Sequence, residues 1–211
     1  MSAYRRDLML VRNAIETAAY RFSERTAPRP RLVWVRAFHA VYNPMLAVDV
    51  LVRLRARHAD ATLHMLGPDK DGSRDLVERH ARELGVADRL TIQGQVPKQE
   101  IPDHLGEADL FINTTDVDNA PISVLEAMAA GLCVVSTSVG GIPYLLEHER
   151  TALLVPPRDP DAMTAAIERV LAERELARKL SREAHQFACG CDWAPVLETW
   201  QSVLEGTASR A

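Results

Sequence analysis

Asp118 and Glu126 lie eight positions apart in the stretch DVDNAPISVLEAMAAG, on either side of a predicted helix start. Carboxylates accept hydrogen bonds, so both side chains could bind the hydroxyl groups of a sugar. Glu126 is surrounded by apolar residues, and a buried carboxylate costs several kcal/mol unless a polar group meets it. We therefore expect a polar partner at Glu126. It is either a set of ligand hydroxyls or, if the side chain is partly exposed, an arginine.

The residues between these two acids predict an anion site at the start of the helix. Pro121 suits a first helical turn, with Ala120 or Asn119 before it as the cap. The free backbone N–H groups of that turn would then be those of Ile122, Ser123 and Val124. A diphosphate would fit there, because the helix dipole favours negative charge at this end. Glu126 could then accept hydrogen bonds from an attached ribose, and Asp118 from a sugar on the other side.

Alternating strand and helix patterns predict the scaffold that positions these residues. Apolar runs rich in β-branched residues predict strands at Leu32–Val35, Ala61–Leu66, Leu90–Gln93, Leu110–Asn113, Cys133–Ser136 and Ala152–Val155. Amphipathic segments between them predict helices at Pro44–His58, Ser73–Leu84, Gln99–Leu105 and Pro121–Ala130. This alternation indicates an α/β fold with a doubly wound, Rossmann-like parallel sheet.

The alternation of predicted strands and helices stops toward both ends of the chain. Residues 1–30 contain one short apolar run and end in APRPR, so we predict an N-terminal segment and linker. Residues 31–192 form the predicted Rossmann-like domain, and residues 193–211 a C-terminal helix and tail. After Pro157 three further helices are predicted, at Pro160–Arg174, Leu176–Ala188 and Pro195–Leu204.

Ligands of such sheets bind at the carboxyl ends of the strands. The loops that matter are therefore Arg36–Asn43, Gly67–Gly72, Gly94–Lys98, Thr114–Ala120 and Ser136–Gly141. Gly140 and Gly141 in the last loop either form a turn that lets backbone approach the ligand or simply join strand to helix.

Composition narrows the class of protein. A formal net charge of −4 argues against nucleic acid as the main partner. No apolar run reaches the roughly 20 residues that span a bilayer, and the apolar run near the N-terminus ends at Arg12, too soon for a secretory signal. Three cysteines without framework spacing fit a cytoplasmic location, with attachment to the inner membrane face through a partner as an open alternative. Cys189-Gly190-Cys191 lacks further ligands at metal-site spacing, so no metal site is predicted.

The segment LEAMAAGLCVVSTSVGGIPYLLEHERTALLVPPRDPDAM, preceded by D-x7-E, resembles a known family. It is similar to the C-terminal half of the retaining, nucleotide-sugar-dependent glycosyltransferases of GT-B fold, group 1 or family 4, which carry an E-x7-E motif. RLVWVRAFH, ATLHMLGPD and LTIQGQVPKQEIPDHLGEADLFINTT resemble the successive strand–loop–helix units of that half, in the same order. The resemblance extends from about Val11 to Leu204.

The resemblance implies a role for each matching position. Glu126 would bind the donor ribose, Asp118 the hydroxyls of the transferred sugar, and Arg36 the diphosphate, which makes Asp118 and Arg36 the catalytic candidates. The loop that holds phosphate and sugar corresponds to Ala120, Pro121, Ile122, Ser123 and Val124. Backbone at Gln95 and Val96 would hold the base, and Gly67 opens a neighbouring ligand loop. No metal or cofactor is expected, because cationic side chains and the helix terminus would neutralise the leaving diphosphate.

The sequence departs from the family pattern at four points. Asp118 replaces the first glutamate. Tyr42 and Asn43 stand where a lysine is usual, with His39 as a candidate substitute cation or merely a loop residue. Pro143-Tyr144 replaces Pro-Glu, and the N-terminal Rossmann domain, which binds the acceptor, is absent from this sequence.

The resemblance implies the donor-binding half of a retaining glycosyltransferase. It would transfer a sugar from a UDP-, GDP- or ADP-sugar to an acceptor that a separate or missing domain or subunit binds. The alternative is a non-catalytic nucleotide-sugar-binding or partner subunit. A GT-B epimerase fits the Glu126 segment less well, and a nicotinamide-dependent dehydrogenase is disfavoured because no G-x-G-x-x-G follows the early strand.

Overall fold

The computed structural model describes residues 11–205. Six strands form one sheet: β1 Arg31–Val35, β2 Thr62–Leu66, β3 Leu90–Gln93, β4 Leu110–Asn113, β5 Cys133–Thr137 and β6 Leu153–Val155. The α-helices between and after them are α1 Pro44–Arg55, α2 Ser73–Glu83, α3 Ile101–Gly106, α4 Ile122–Ala129, α5 Ile142–Leu145, α6 Pro160–Ala172, α7 Arg174–Cys189 and α8 Trp193–Leu204.

The strands pair in the order β3-β2-β1-β4-β5-β6, and every neighbouring pair is parallel. The predicted α/β fold with a doubly wound, Rossmann-like sheet is confirmed. The strand order reverses between β1 and β4. At such a reversal the following loops diverge to opposite faces of the sheet and leave a crevice at the carboxyl ends.

Both faces of the central strands are buried, which explains why β1, β4 and β5 read as continuous apolar runs. On β1, Leu32 and Trp34 pack into the cluster that includes α1 and α6, whereas Val33 packs into the cluster that includes α4. Phe111 of β4 also belongs to the second cluster. Because successive strand residues point to opposite faces, a strand covered on both sides must be apolar at every position.

The N-terminal segment is more than a linker in its described part. Ile15 is 2% exposed, and its N–H donates to the Cys191 carbonyl at 2.9 Å. Arg25 is 6% exposed, forms an ion pair with Asp109 at 3.4 Å and donates to the Ala108 carbonyl. These contacts pack Ile15 and Arg25 against the domain that was predicted to begin at residue 31.

Two local differences from the predicted helices matter for the site. Helix α5 was not predicted, because four residues beginning Ile-Pro carry no helical periodicity. Helix α4 begins at Ile122, and Pro121 itself, with extended backbone, occupies the cap position assigned to Ala120 or Asn119.

Candidate functional site

A cleft of about 440 Å³ opens at the carboxyl edge of the sheet, between the loops that follow β1 and β4. Loops after β2 and β3 complete its wall. The predicted site residues in this wall are Arg36, Gly67, Gln95, Val96, Asp118, Ala120, Pro121, Ile122 and Ser123. Val124 and Glu126 lie behind the wall on α4, and both are buried.

The start of α4 faces this cleft with unsatisfied polar groups. In the described part of the chain no side chain caps the helix, and the Ser123 hydroxyl is buried without a hydrogen-bond partner. The Val124 N–H was predicted to be free, but it donates to the Pro121 carbonyl at 3.2 Å. The amides of Ile122 and Ser123 therefore remain as the donors of the predicted anion site, which stays a prediction.

Glu126 is buried, at 6% exposure, and the protein itself supplies its polar partners. The Tyr20 hydroxyl donates a hydrogen bond to its carboxylate, and Lys98 Nζ lies 4.0 Å from Glu126 Oε1. Burial raises the pKa of Glu126, while the Tyr20 bond and Lys98 oppose that rise. The polar partner expected from the sequence is thus present in the protein without a ligand. It is the phenol of Tyr20, with Lys98 nearby, and not an arginine.

Arg36 and Asp118 form an ion pair inside the cleft, with side chains 15% and 12% exposed. The Arg36 guanidinium also stacks on Tyr42, its Cζ atom 4.5 Å from the ring centroid. Burial lowers the pKa of Arg36. The other Asp118 oxygen accepts a hydrogen bond from the Asn119 N–H at 2.8 Å, which restricts the orientation of the carboxylate.

Buried threonines tie the loop after β4 to its neighbours. Thr114 Oγ1 accepts from Trp34 Nε1 at 2.9 Å and donates to the Tyr42 carbonyl at 2.8 Å. Thr137 Oγ1 donates to the Thr115 carbonyl at 2.6 Å. The threonine side chains are buried and their hydroxyls are hydrogen-bonded, so they hold the ends of β1, β4 and β5 in fixed relative positions.

The glycine pair after β5 packs directly on the Asp118 loop. The Gly141 N–H donates to the Asp118 carbonyl at 2.8 Å. A Cβ on Gly140 would lie 2.0 Å from that carbonyl oxygen, and a Cβ on Gly141 2.3 Å from the Asn119 oxygen. Gly140 has a positive φ of 53°, as the turn alternative expects, and the backbone that the pair approaches is that of the Asp118 loop. An approach to a ligand stays a prediction.

Sequence reasoning missed several residues around the cleft. Asn13 lines the wall and donates to the Ala120 carbonyl at 3.0 Å, and Tyr20 and Lys98 contact Glu126. Asn13 lies in the stretch LVRNAIE, which resembles the V-x-NGID stretch that opens this half in the family, so the sequence held a signal for it. Nothing in the sequence connected Tyr20 to α4. His39 does not line the cleft; its Nδ1 accepts the Val41 N–H at 3.1 Å.

A second cleft, of about 560 Å³, is larger, and two arginines line it: Arg12, which lies over the ring of Phe187, and Arg150. Its Arg150 is already paired with Glu147 at 2.8 Å and Glu183 at 2.6 Å. Residues 11–205 contain no group of three or more histidine, cysteine or acidic side chains that could hold a metal ion. In the same range no helix is long and apolar enough to cross a membrane.

The buried Glu126 predicts a distinct pH dependence of stability. Its folded-state pKa is raised above the ordinary 4.5, so in the window above 4.5 the folded state holds the proton more tightly than the unfolded state. Stability should therefore fall as pH rises through that window. In Glu126→Gln this component is absent. Thermal unfolding between pH 4 and pH 8 should show the difference in melting temperature, wild type minus variant, decreasing with pH. Parallel curves would contradict a carboxyl with a raised pKa.

Residues 17–187 match the model of the family described as glycosyl transferases group 1. Among curated proteins, a GDP-mannose-dependent alpha-(1-6)-phosphatidylinositol monomannoside mannosyltransferase of Mycobacterium tuberculosis is 29% identical over 188 residues. That match covers 85% of this chain and 46% of the relative, so the chain spans about half the length of such relatives.

Solved structures share the fold. Anabaena HepE in complex with UDP-glucose superposes with a TM-score of 0.82 at 18% identity, over 93% of this chain and 57% of that one. The C-terminal domain of a group 1 glycosyl transferase family protein (LpcC) from Francisella tularensis gives a TM-score of 0.73 at 14% identity, over 83% of this chain and 97% of that one. At these identities the likeness concerns the fold alone.

Proposed function

The chain belongs to the group 1 glycosyl transferases, and from this premise we propose that it is the donor-binding half of a retaining, family 4-like glycosyltransferase. It binds a UDP-, GDP- or ADP-sugar and transfers the sugar, with its anomeric configuration kept, to an acceptor held by another domain or subunit. The mannosyltransferase relative is GDP-mannose-dependent by name, and HepE was crystallised with UDP-glucose, which supports a nucleoside-diphosphate sugar as the donor class.

One observation carries the proposal. The Arg36 guanidinium, the amides at the start of α4 and the orphan hydroxyl of Ser123 meet in a single cleft at the reversal of strand order. A guanidinium and a helix N-terminus are the two groups that proteins most often direct at phosphate. The cleft therefore suits a diphosphate better than a neutral ligand.

The remaining groups orient the donor around that diphosphate. We place the ribose toward Glu126, whose carboxylate Tyr20 holds in position, and the base along the backbone at Gln95 and Val96. The transferred sugar lies toward Asp118. Arg36 would then exchange Asp118 for the diphosphate, which frees one carboxylate oxygen of Asp118 for the sugar hydroxyls.

The proposed chemistry needs neither metal nor cofactor. The leaving diphosphate gains negative charge in the transition state, and Arg36, once released from Asp118, would stabilise that charge together with the α4 terminus. The protein would act in the cytoplasm, on its own or held at the inner membrane face through a partner.

A non-catalytic nucleotide-sugar-binding or partner subunit is the second candidate. It is favoured by the ion pair that engages Arg36 with Asp118 and by Tyr42 in the place of a lysine. The two candidates differ in turnover. The enzyme transfers sugar once an acceptor domain is supplied, whereas the binding subunit only retains the donor.

Calorimetric titration with UDP, GDP and ADP tests the proposal. We expect one of them to bind, and Glu126→Ala to weaken it by about 1.5 to 3 kcal/mol, the contribution of hydrogen bonds to a charged group. This corresponds to about tenfold to a hundredfold. Glu198→Ala, an exposed glutamate on α8, is the matched control and should leave binding unchanged. If none of the three binds at millimolar concentration, the proposal is wrong.

A further inference from the structure

Arg36 is the single cation among the described residues that line the donor cleft. Its side chain is 15% exposed and lies between two partners, the ring of Tyr42 and the carboxylate of Asp118. A diphosphate brings its negative charge to this cleft. The orientation of one guanidinium therefore decides how well that charge is neutralised.

Tyr42 offers Arg36 a fixed surface. It ends the short 3-10 turn Ala40–Tyr42, and its carbonyl accepts the hydrogen bond from Thr114 Oγ1 at 2.8 Å. Its ring packs against the core cluster that contains α1. Asn43, in the left-handed region at φ 46°, then caps α1 by accepting the Leu46 N–H. These hydrogen bonds fix the backbone on both sides of the Tyr42 ring.

Stacking and hydrogen bonding use different parts of a guanidinium. The face lies over the ring, while the N–H donors point outward in the guanidinium plane. The Nε donor of Arg36 has no hydrogen-bond partner within residues 11–205. The Nε atom itself is buried, so a ligand would bind in the guanidinium plane by replacing the Asp118 carboxylate, which does not require Arg36 to leave Tyr42.

We propose that Tyr42 is a positioning residue of the donor site. Its ring holds the Arg36 guanidinium in the cleft while Arg36 exchanges the carboxylate of Asp118 for the diphosphate of the donor. This inference rests on the proposed function, because it needs a diphosphate in the cleft. Without the ring, Arg36 has Asp118 as its remaining anchor, and a ligand that displaces Asp118 meets a mobile side chain.

The test is a titration of wild type, Tyr42→Leu and Tyr42→Phe with the nucleoside diphosphate that wild type binds. Loss of the ring in Tyr42→Leu should weaken binding about threefold to thirtyfold, the range of a partly buried cation–π contact. Tyr42→Phe keeps the ring and should stay within about twofold of wild type. Tyr144→Leu, which removes a tyrosine that is 89% exposed, is the control and should bind as wild type does.

A double-mutant cycle separates positioning from a general packing defect. In an Arg36→Gln background, followed by NMR at millimolar ligand, Tyr42→Leu should change the dissociation constant by less than about twofold. If Tyr42→Leu does not fold, Tyr42→Met replaces it in every arm.

The outcomes are distinct. Weak binding by Tyr42→Leu, rescue in Tyr42→Phe and no further loss in the Arg36→Gln background support the proposal. Binding by Tyr42→Leu at wild-type strength, equal loss in Tyr42→Phe, or an undiminished loss in the Arg36→Gln background overturns it and leaves the donor site intact. Absence of binding by wild type overturns the proposed function itself.

Discussion

Replacing Arg36 with glutamine is expected to weaken nucleoside diphosphate binding at least about thirtyfold. The substitution removes a cation from the cleft wall and leaves Asp118, 12% exposed, as an uncompensated negative charge facing the phosphates. Losing one partner of a desolvated charge pair typically costs about 2 to 5 kcal/mol in binding. The dissociation constant, measured by calorimetry for wild type and variant at one ionic strength, gives the result.

A second arginine provides the control for this substitution. Arg158 also pairs with an aspartate of the loop after β4, Asp116, at 2.9 Å, but its side chain is 75% exposed and does not line the cleft. Arg158→Gln removes the same charge from the same region and should change binding little, because exposed pairs contribute little. Equal losses in both variants would mean that net charge, rather than the position of Arg36, governs affinity.

Adding one methyl group at Gly141 should have an effect of similar size. The new Cβ would lie 2.3 Å from the Asn119 carbonyl oxygen, so the Asp118 loop or the turn after β5 must move. Gly141 has φ −84°, an ordinary value, and the expected effect is therefore steric rather than conformational. Overpacking of this kind costs about 1 to 3 kcal/mol in stability. A shift of about 1 Å at a reacting group can lower the rate about a hundredfold.

Gly141→Ala should accordingly retain the fold but lose donor binding, as measured by thermal unfolding together with titration. Gly106→Ala is the matched control, because its Cβ would meet nothing within 4 Å. Donor binding by Gly141→Ala at wild-type strength would show that the glycine turn does not set the position of the Asp118 loop.

The sequence predicted the scaffold well wherever a strand is covered on both faces. The bounds of β4, whose residues are all buried, are the predicted Leu110–Asn113, because an apolar run ends there at a polar residue. The bounds of the edge strand β3 are also the predicted Leu90–Gln93, although its residues are only partly covered. Helix α5 was not predicted, because a helix of a single turn shows no periodicity of apolar residues. Pro121 occupies the cap position that was predicted for Ala120 or Asn119, one or two positions earlier. Helix ends are set by local backbone geometry that composition does not specify.

The site was predicted as a set of positions but not as a set of contacts. Arg36 and Asp118 were each assigned to a ligand, and their ion pair follows from β1 and β4 being neighbours, an order that the sequence did not supply. The Tyr20–Glu126 bond joins the N-terminal segment to α4 across more than a hundred residues. Such a pairing leaves no local pattern, because it depends on how the segment lies against the finished fold.

The roles of these residues toward a donor remain predictions, and one measurement addresses them together. Backbone amide resonances of the protein can be followed by NMR during titration with a nucleoside diphosphate. We predict that the largest shifts occur at Ala120, Ile122 and Ser123, with Gln95 and Val96 next. Largest shifts around Tyr144, Glu147 and Arg150, which line the second cleft, would contradict the account, as would the absence of any shift at the start of α4.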